Sequence, residues 1–173
     1  MKSILKNKQI VIGGAIILVI VLLVLLAPVL TNGDYSGGDL KNKQLAPCAE
    51  HLFGTDFYGR DVWTRILYGG RISLSVAVCA TLLAAVCGTL IGCTSAYFGK
   101  TVDFIVGRIM DVFMAFPMLL SSLIIGIILK ASIQTMFLSI GIPCIPMFYR
   151  MARSNTLSLR ERGYVKASTS MGS

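Results

Sequence analysis

Side chains able to do chemistry gather in two places in this 173-residue chain. The first holds His51, Asp56 and Asp61, an imidazole and two carboxylates of the kind used in general acid–base catalysis. No nucleophile with a base beside it and no metal cluster accompanies them, so no reaction is assigned. The second is Leu157 to Ser173, LSLRERGYVKASTSMGS, which is polar and basic after a series of apolar runs. It reads either as a tail after a last membrane span or as the start of an element through which a membrane subunit takes force from a soluble partner. Five cysteines stand at 48, 79, 87, 93 and 144, without a C-x-x-C pair. With His51 as the lone histidine they fall short of a usual zinc site, and four lie within apolar runs. Neither a disulfide, a metal nor any other cofactor is expected.

Composition says what kind of chain must position these residues. The hydrophobic set makes up 55% and charged residues only 14%; soluble domains average about 25% charged. Mean hydropathy is +0.77. A formal charge of +8 would suit nucleic acid if the Lys and Arg shared a polar face. Instead they separate long apolar runs, as basic residues do when they fix loops on the cytoplasmic side of a membrane. A membrane partner is therefore expected, and nucleic acid is not.

The apolar runs predict four transmembrane helices. Ile10 to Leu30 runs 21 residues without a charge, roughly 31 Å of helix and close to the hydrocarbon thickness. It is too long for a signal-peptide core and no A-x-A-like cleavage site follows. After a polar loop, residues 51–71 predict an amphipathic helix on the outer surface, begun by Gly54-Thr55-Asp56 and bracketed by Gly59 or Gly69-Gly70. Val62, Ile66 and Leu67 share a face, Asp61 and Arg65 form an i,i+4 pair, and Trp63 and Tyr68 suit headgroup depth.

Ile72 to Phe98 is the second span, with Ala80, Ala84, Gly88, Gly92 and Ala96 in one stripe of small side chains. Such a stripe lets helix backbones approach closely inside lipid. The third helix is expected to begin near Val102, with Arg108 and Asp111 paired and with Pro117 kinking its apolar part, Val112 to Leu129. The fourth span, Ala131 to Tyr149, contains Gln134, Pro143 and Pro146, which predict an irregular second half. Arg150 and Arg153 then mark its exit.

Charge supports one topology. The segments 1–9, 99–111 and 150–173 hold 10 Lys and Arg, against 6 in segment 31–71 and at Lys130. Acids run the other way, 5 to 3. Both termini are therefore expected in the cytosol. The organisation divides into residues 1–50 (N-terminal segment, first span and outer loop), 51–71 (outer interfacial helix) and 72–173 (core with a cytosolic segment).

Three stretches in order carry a family resemblance: GTDFYGRDVWTRILYGGRISLSVAV (Gly54–Val78), AYFGKTVDFIVGRIMDVFMAFPMLL (Ala96–Leu120) and LSLRERGYVKASTSMG (Leu157–Gly172). Together they resemble the C-type permeases of the dipeptide, oligopeptide and nickel importers of the ATP-binding cassette class. The resemblance implies an all-α membrane protein and a partial type I importer permease fold with a cytosolic coupling helix. It implies a bacterial inner-membrane transport subunit, not an enzyme, carrying peptides or a related solute, nickel included. Implied partners are a second permease subunit in a heterodimeric pore, two ATPase subunits and an extracytoplasmic binding protein. ATP hydrolysis would then belong to a partner, in keeping with the lack of G-x-x-x-x-G-K-[ST] here. The coupling residues carried over are Arg160, Glu161, Tyr164, Lys166, Ala167 and Gly172.

The chain departs from the family pattern at one signature. Where relatives carry Glu-Ala-Ala, it reads Lys166-Ala167-Ser168, and Gly163 stands where a larger residue is common. The family pattern continues beyond Gly172, so the resemblance implies either a C-terminally truncated fragment or a degenerate copy, one that inserts without transporting. The alternative from another class is a small four-span structural or assembly protein that oligomerises through its Gly/Ala stripe.

Overall fold

A computed structural model describes residues 8–31, 35–130 and 132–172, without the side chains of 166, 168 and 169. Among the described residues every extended element is a helix, and strand pairing is confined to one isolated bridge between Thr55 and Asp61. Helices satisfy their own backbone hydrogen bonds, which is what a chain this apolar needs inside lipid. Three are long and apolar enough to cross a membrane, and a bent pair would make a fourth. The chain forms two compact units, Met1–Leu74 and Ser75–Ser173.

In the first unit, α1 (Lys8–Leu25) exposes nearly all its Ile, Leu and Val side chains, as a lipid-facing helix must. Residues Ala27–Leu30 form a separate turn, α2, because Pro28 has no N–H to continue the α1 ladder. A 3-10 turn at Leu40–Asn42 and a loop follow. The separate helix expected over 51–71 does not form. Gly54 and Gly59 take φ of +72° and +70°, outside the right-handed helical region. At Gly59 a β-carbon would also collide with the Asp39 carbonyl. Helix α3 begins only at Val62, where the Asp61 carboxylate accepts the Thr64 N–H at 2.7 Å, and runs unbroken to Phe98. Gly69 and Gly70 sit inside it, and a β-carbon at Gly70 would press on Val24 of α1.

The second unit contains the rest of α3 and four more helices: α4 (Lys100–Ala115), α5 (Met118–Leu129), α6 (Ile133–Arg160) and α7 (Gly163–Ser170). Gly99, at φ +107°, turns the chain from α3 into α4. The Pro117 kink proves to be a break. Phe116 and Pro117 are both extended, and α4 and α5 meet at 90°. A proline ring crowds the preceding residue out of the helical region as well as removing a donor.

The fourth span corrects the expectation in the opposite sense. Helix α6 continues through Pro143 and Pro146 for 28 residues, roughly 42 Å. Packing offsets the two missing donors: Pro146 is fully buried and Gly141 lies against Ala80 and Leu83 of α3. A capping box at Ser132 and Thr135 starts the helix.

Candidate functional site

The segment after Leu157 is built from the end of α6, a two-residue bend and α7. Glu161 ends α6 in an α-like conformation, and the Arg162 N–H donates back to the Leu159 carbonyl at 3.1 Å. Gly163 then opens α7, and the Val165 N–H reaches the Arg162 carbonyl at 3.1 Å. Past α7, Gly172 takes φ +88°, a conformation suited to ending a helix. Of the six positions carried over from the family resemblance, Arg160, Glu161, Tyr164, Ala167 and Gly172 are exposed, Tyr164 to 63%. The Lys166 side chain lies outside the described residues.

Arg160 is exposed and also engaged. Its Nη1 donates to the carbonyl of Ala96 at 2.6 Å and approaches that of Tyr97 at 3.4 Å. These belong to the last turn of α3, whose carbonyls lack helical partners and carry the negative end of the helix dipole. A guanidinium there satisfies both needs.

Further contacts join the same elements. Arg153 on α6 grips Asp103 in the first turn of α4 with two parallel hydrogen bonds, Nε to Oδ1 at 2.5 Å and Nη2 to Oδ2 at 2.6 Å. This fork is the strong geometry for an arginine–carboxylate pair. Arg150 reaches Asp111 at 3.3 Å, an exposed pair of small value. The Thr156 hydroxyl donates to the Ala152 carbonyl at 2.9 Å and to the Cys93 sulfur at 3.4 Å.

The small-residue stripe lies along this contact. Ala80, Ala84 and Ala96 are buried. A β-carbon at Gly88 would stand 2.6 Å from the Phe148 Cβ, and one at Gly92 2.6 Å from the Tyr149 carbonyl oxygen. The Tyr149 side chain is 3% exposed, and its hydroxyl has no hydrogen-bond partner among the described residues.

The His51, Asp56 and Asp61 group is occupied in holding its loop. Asp56 accepts from the Tyr58 and Arg60 N–H groups at 2.8 and 3.0 Å and pairs with the Arg60 and Arg65 guanidiniums. Asp61 takes His51 Nδ1 at 3.0 Å on one oxygen and the Thr64 N–H on the other. Burial pushes the Asp61 carboxyl up, but its hydrogen bonds from Thr64 and His51 outweigh that and hold it below its usual value. His51 and Asp61 line part of a polar cleft with Asp39, Glu50 and Trp63. Among the described residues no three His, Cys, Asp or Glu gather as metal ligands.

Pairing from sequence spacing alone went astray here. Asp61 and Arg65 do not pair through their side chains, since Arg65 turns to Asp56. The Arg108–Asp111 pair does not form either: Arg108 lies over the Phe104 ring, 5.1 Å from its centroid, and Asp111 faces Arg150. The Asp103–Arg153 pair spans 50 residues, and no local spacing rule reaches that far. Its available signal was two arginines three apart on α6, Arg150 and Arg153, and two aspartates on α4, Asp103 and Asp111.

Residues 88–173 match the binding-protein-dependent transport system inner membrane component. Residues 1–47 match the N-terminal transmembrane domain of oligopeptide transport permease C. The chain belongs to this permease family. The permease match begins at Gly88 in the α3 stripe and takes in α4 to α7 with the Asp103, Arg153 and Arg160 contacts. The dipeptide transport system permease protein of Alkalihalophilus pseudofirmus is 39% identical over 171 residues, covering 99% of this chain and 56% of that relative. The oligopeptide transport system permease protein of Bacillus subtilis is 34% identical over 167 residues, 96% of this chain and 55% of the relative. The chain spans about half the length of the curated relatives it matches. Its family and its apolar helices make it a multi-pass inner-membrane protein of a transport family rather than of a catalytic one.

Proposed function

We propose that the chain is a permease subunit of an ATP-driven importer for peptides. It would line half of a translocation pore beside a second permease subunit and take force from two ATPase subunits through residues 157–172. An extracytoplasmic binding protein would deliver the solute on the opposite side. The observation that carries this reading is the agreement of two family regions, in order, with a segment whose Glu161, Tyr164 and Ala167 are exposed for a partner. Peptides are preferred to nickel because the similar permeases from A. pseudofirmus and B. subtilis are named for dipeptides and oligopeptides.

The orientation follows from the positive-inside distribution, with both termini, the α3–α4 turn and α7 in the cytosol. Packed bundles rocking around a site between the permeases would convert ATPase closure into alternating access. Coexpression with a cognate second permease, ATPases and binding protein tests the reading. The expected result is a copurifying assembly in which Tyr164→Ala and Glu161→Lys weaken retention of the ATPase. Stable insertion with no ATPase retained, even beside the second permease, would overturn it.

A further inference from the structure

We infer that Arg160, together with the Asp103–Arg153 pair, fastens the end of α6 to the α3–α4 junction and so positions the coupling segment. They act as positioning residues. Three observations converge on one place. The Arg160 guanidinium is spent on the Ala96 and Tyr97 carbonyls that end α3. Seven residues earlier on the same helix, Arg153 is forked onto Asp103, in the first turn of the helix that follows Gly99. Between them, Thr156 reaches Cys93. The last turns of α6 are therefore held on both sides of the α3–α4 turn, at the end of a helix interface already close at Gly88 and Gly92.

The consequence is mechanical. Helix α7 hangs from α6 through two residues, Glu161 and Arg162, so wherever the end of α6 is fixed, α7 is fixed. Glu161, Arg162 and Tyr164 are among the side chains left outward by this arrangement. A fork between a guanidinium and a carboxylate is geometrically demanding, so lysine cannot replace arginine at 153 without loss. At 160 it can, because a lysine also donates to terminal helix carbonyls. The inference rests on the proposed reading only in calling α7 a coupling helix; the fastening stands on the contacts themselves.

Hydrogen exchange of the whole chain in lipid nanodiscs, read by mass spectrometry, tests this without any partner subunit. Asp103→Asn, Arg153→Gln and Arg160→Gln are each expected to speed exchange of peptides covering 150–162 about five-fold. Peptides from α5 should be unchanged. Arg160→Lys should restore the parental rate, and so should the double exchange Asp103→Arg with Arg153→Asp. Unchanged exchange over 150–162 in the single variants would overturn the inference. So would acceleration spread equally over α5 that the double exchange fails to reverse. Loss of ATPase binding by Tyr164→Ala with this clamp intact bears on the proposed function alone, so the two readings fail separately.

Discussion

Asp56 and Asp61 look catalytic by type and behave as braces by geometry. Each carboxylate is filled by backbone N–H groups and a cationic or imidazole partner. Hydrogen bonds hold both below the usual carboxylate pKa in spite of the opposing effect of burial. Such groups stabilise the fold fully above about pH 4, the unfolded value, and lose that contribution as pH falls through the folded one. Trp63, the only tryptophan, stacks edge-on against Phe53 at 5.3 Å and reports on this loop. Its emission should change as pH falls below about 4, and Asp61→Asn should produce that change at neutral pH. The glycines separate in the same way. Gly88→Val is expected to cost about 1–3 kcal/mol through overpacking against α6. Gly69→Ala, with open space around it, should be neutral or stabilise by up to about 1 kcal/mol. Denaturation in mixed micelles measures both.

At the scale of elements, sequence gave reliable news of where apolar helix is and poor news of where it stops. Four apolar runs and their charged separators were legible because lipid burial needs long uncharged stretches, and little else produces them. Prolines were the weak point, since the same residue breaks α4 from α5 and is absorbed twice in α6. The difference is tertiary: Pro146 is fully buried, while Phe116 beside Pro117 is 59% exposed. Replacing Pro117 with Ala should join α4 and α5. Labels at 105 and 125 would then move apart towards about 30 Å, the length of twenty helical residues, a change that electron-spin distance measurements resolve. The predicted surface helix failed for a local reason. Its amphipathic pattern is real from Val62 onward, but two glycines with positive φ and the Asp56 turn occupy the residues meant to begin it.

For the whole molecule, the family was legible because three separated stretches kept their order, whereas the segment after Leu157 was only half legible. Its residues, Arg160 included, could be carried over by motif; the partner of Arg160 could not, because that partner is the end of a helix 63 residues away in sequence. Orientation gives a direct prediction. Cys48 is exposed in the polar loop, so a membrane-impermeant maleimide should modify it in intact spheroplasts. Modification only after lysis would invert the topology. Finally, the 90° break leaves α5 with 12 residues, about 18 Å of helix against roughly 30 Å of hydrocarbon. The two legs cannot both follow the bilayer normal, and a helix this short is matched by thinning of the lipid beside α5. Each ångström of mismatch costs a fraction of a kcal/mol. Acyl-chain length therefore becomes a variable in this protein's stability, and shorter-chain bilayers are the ones in which it should resist unfolding best.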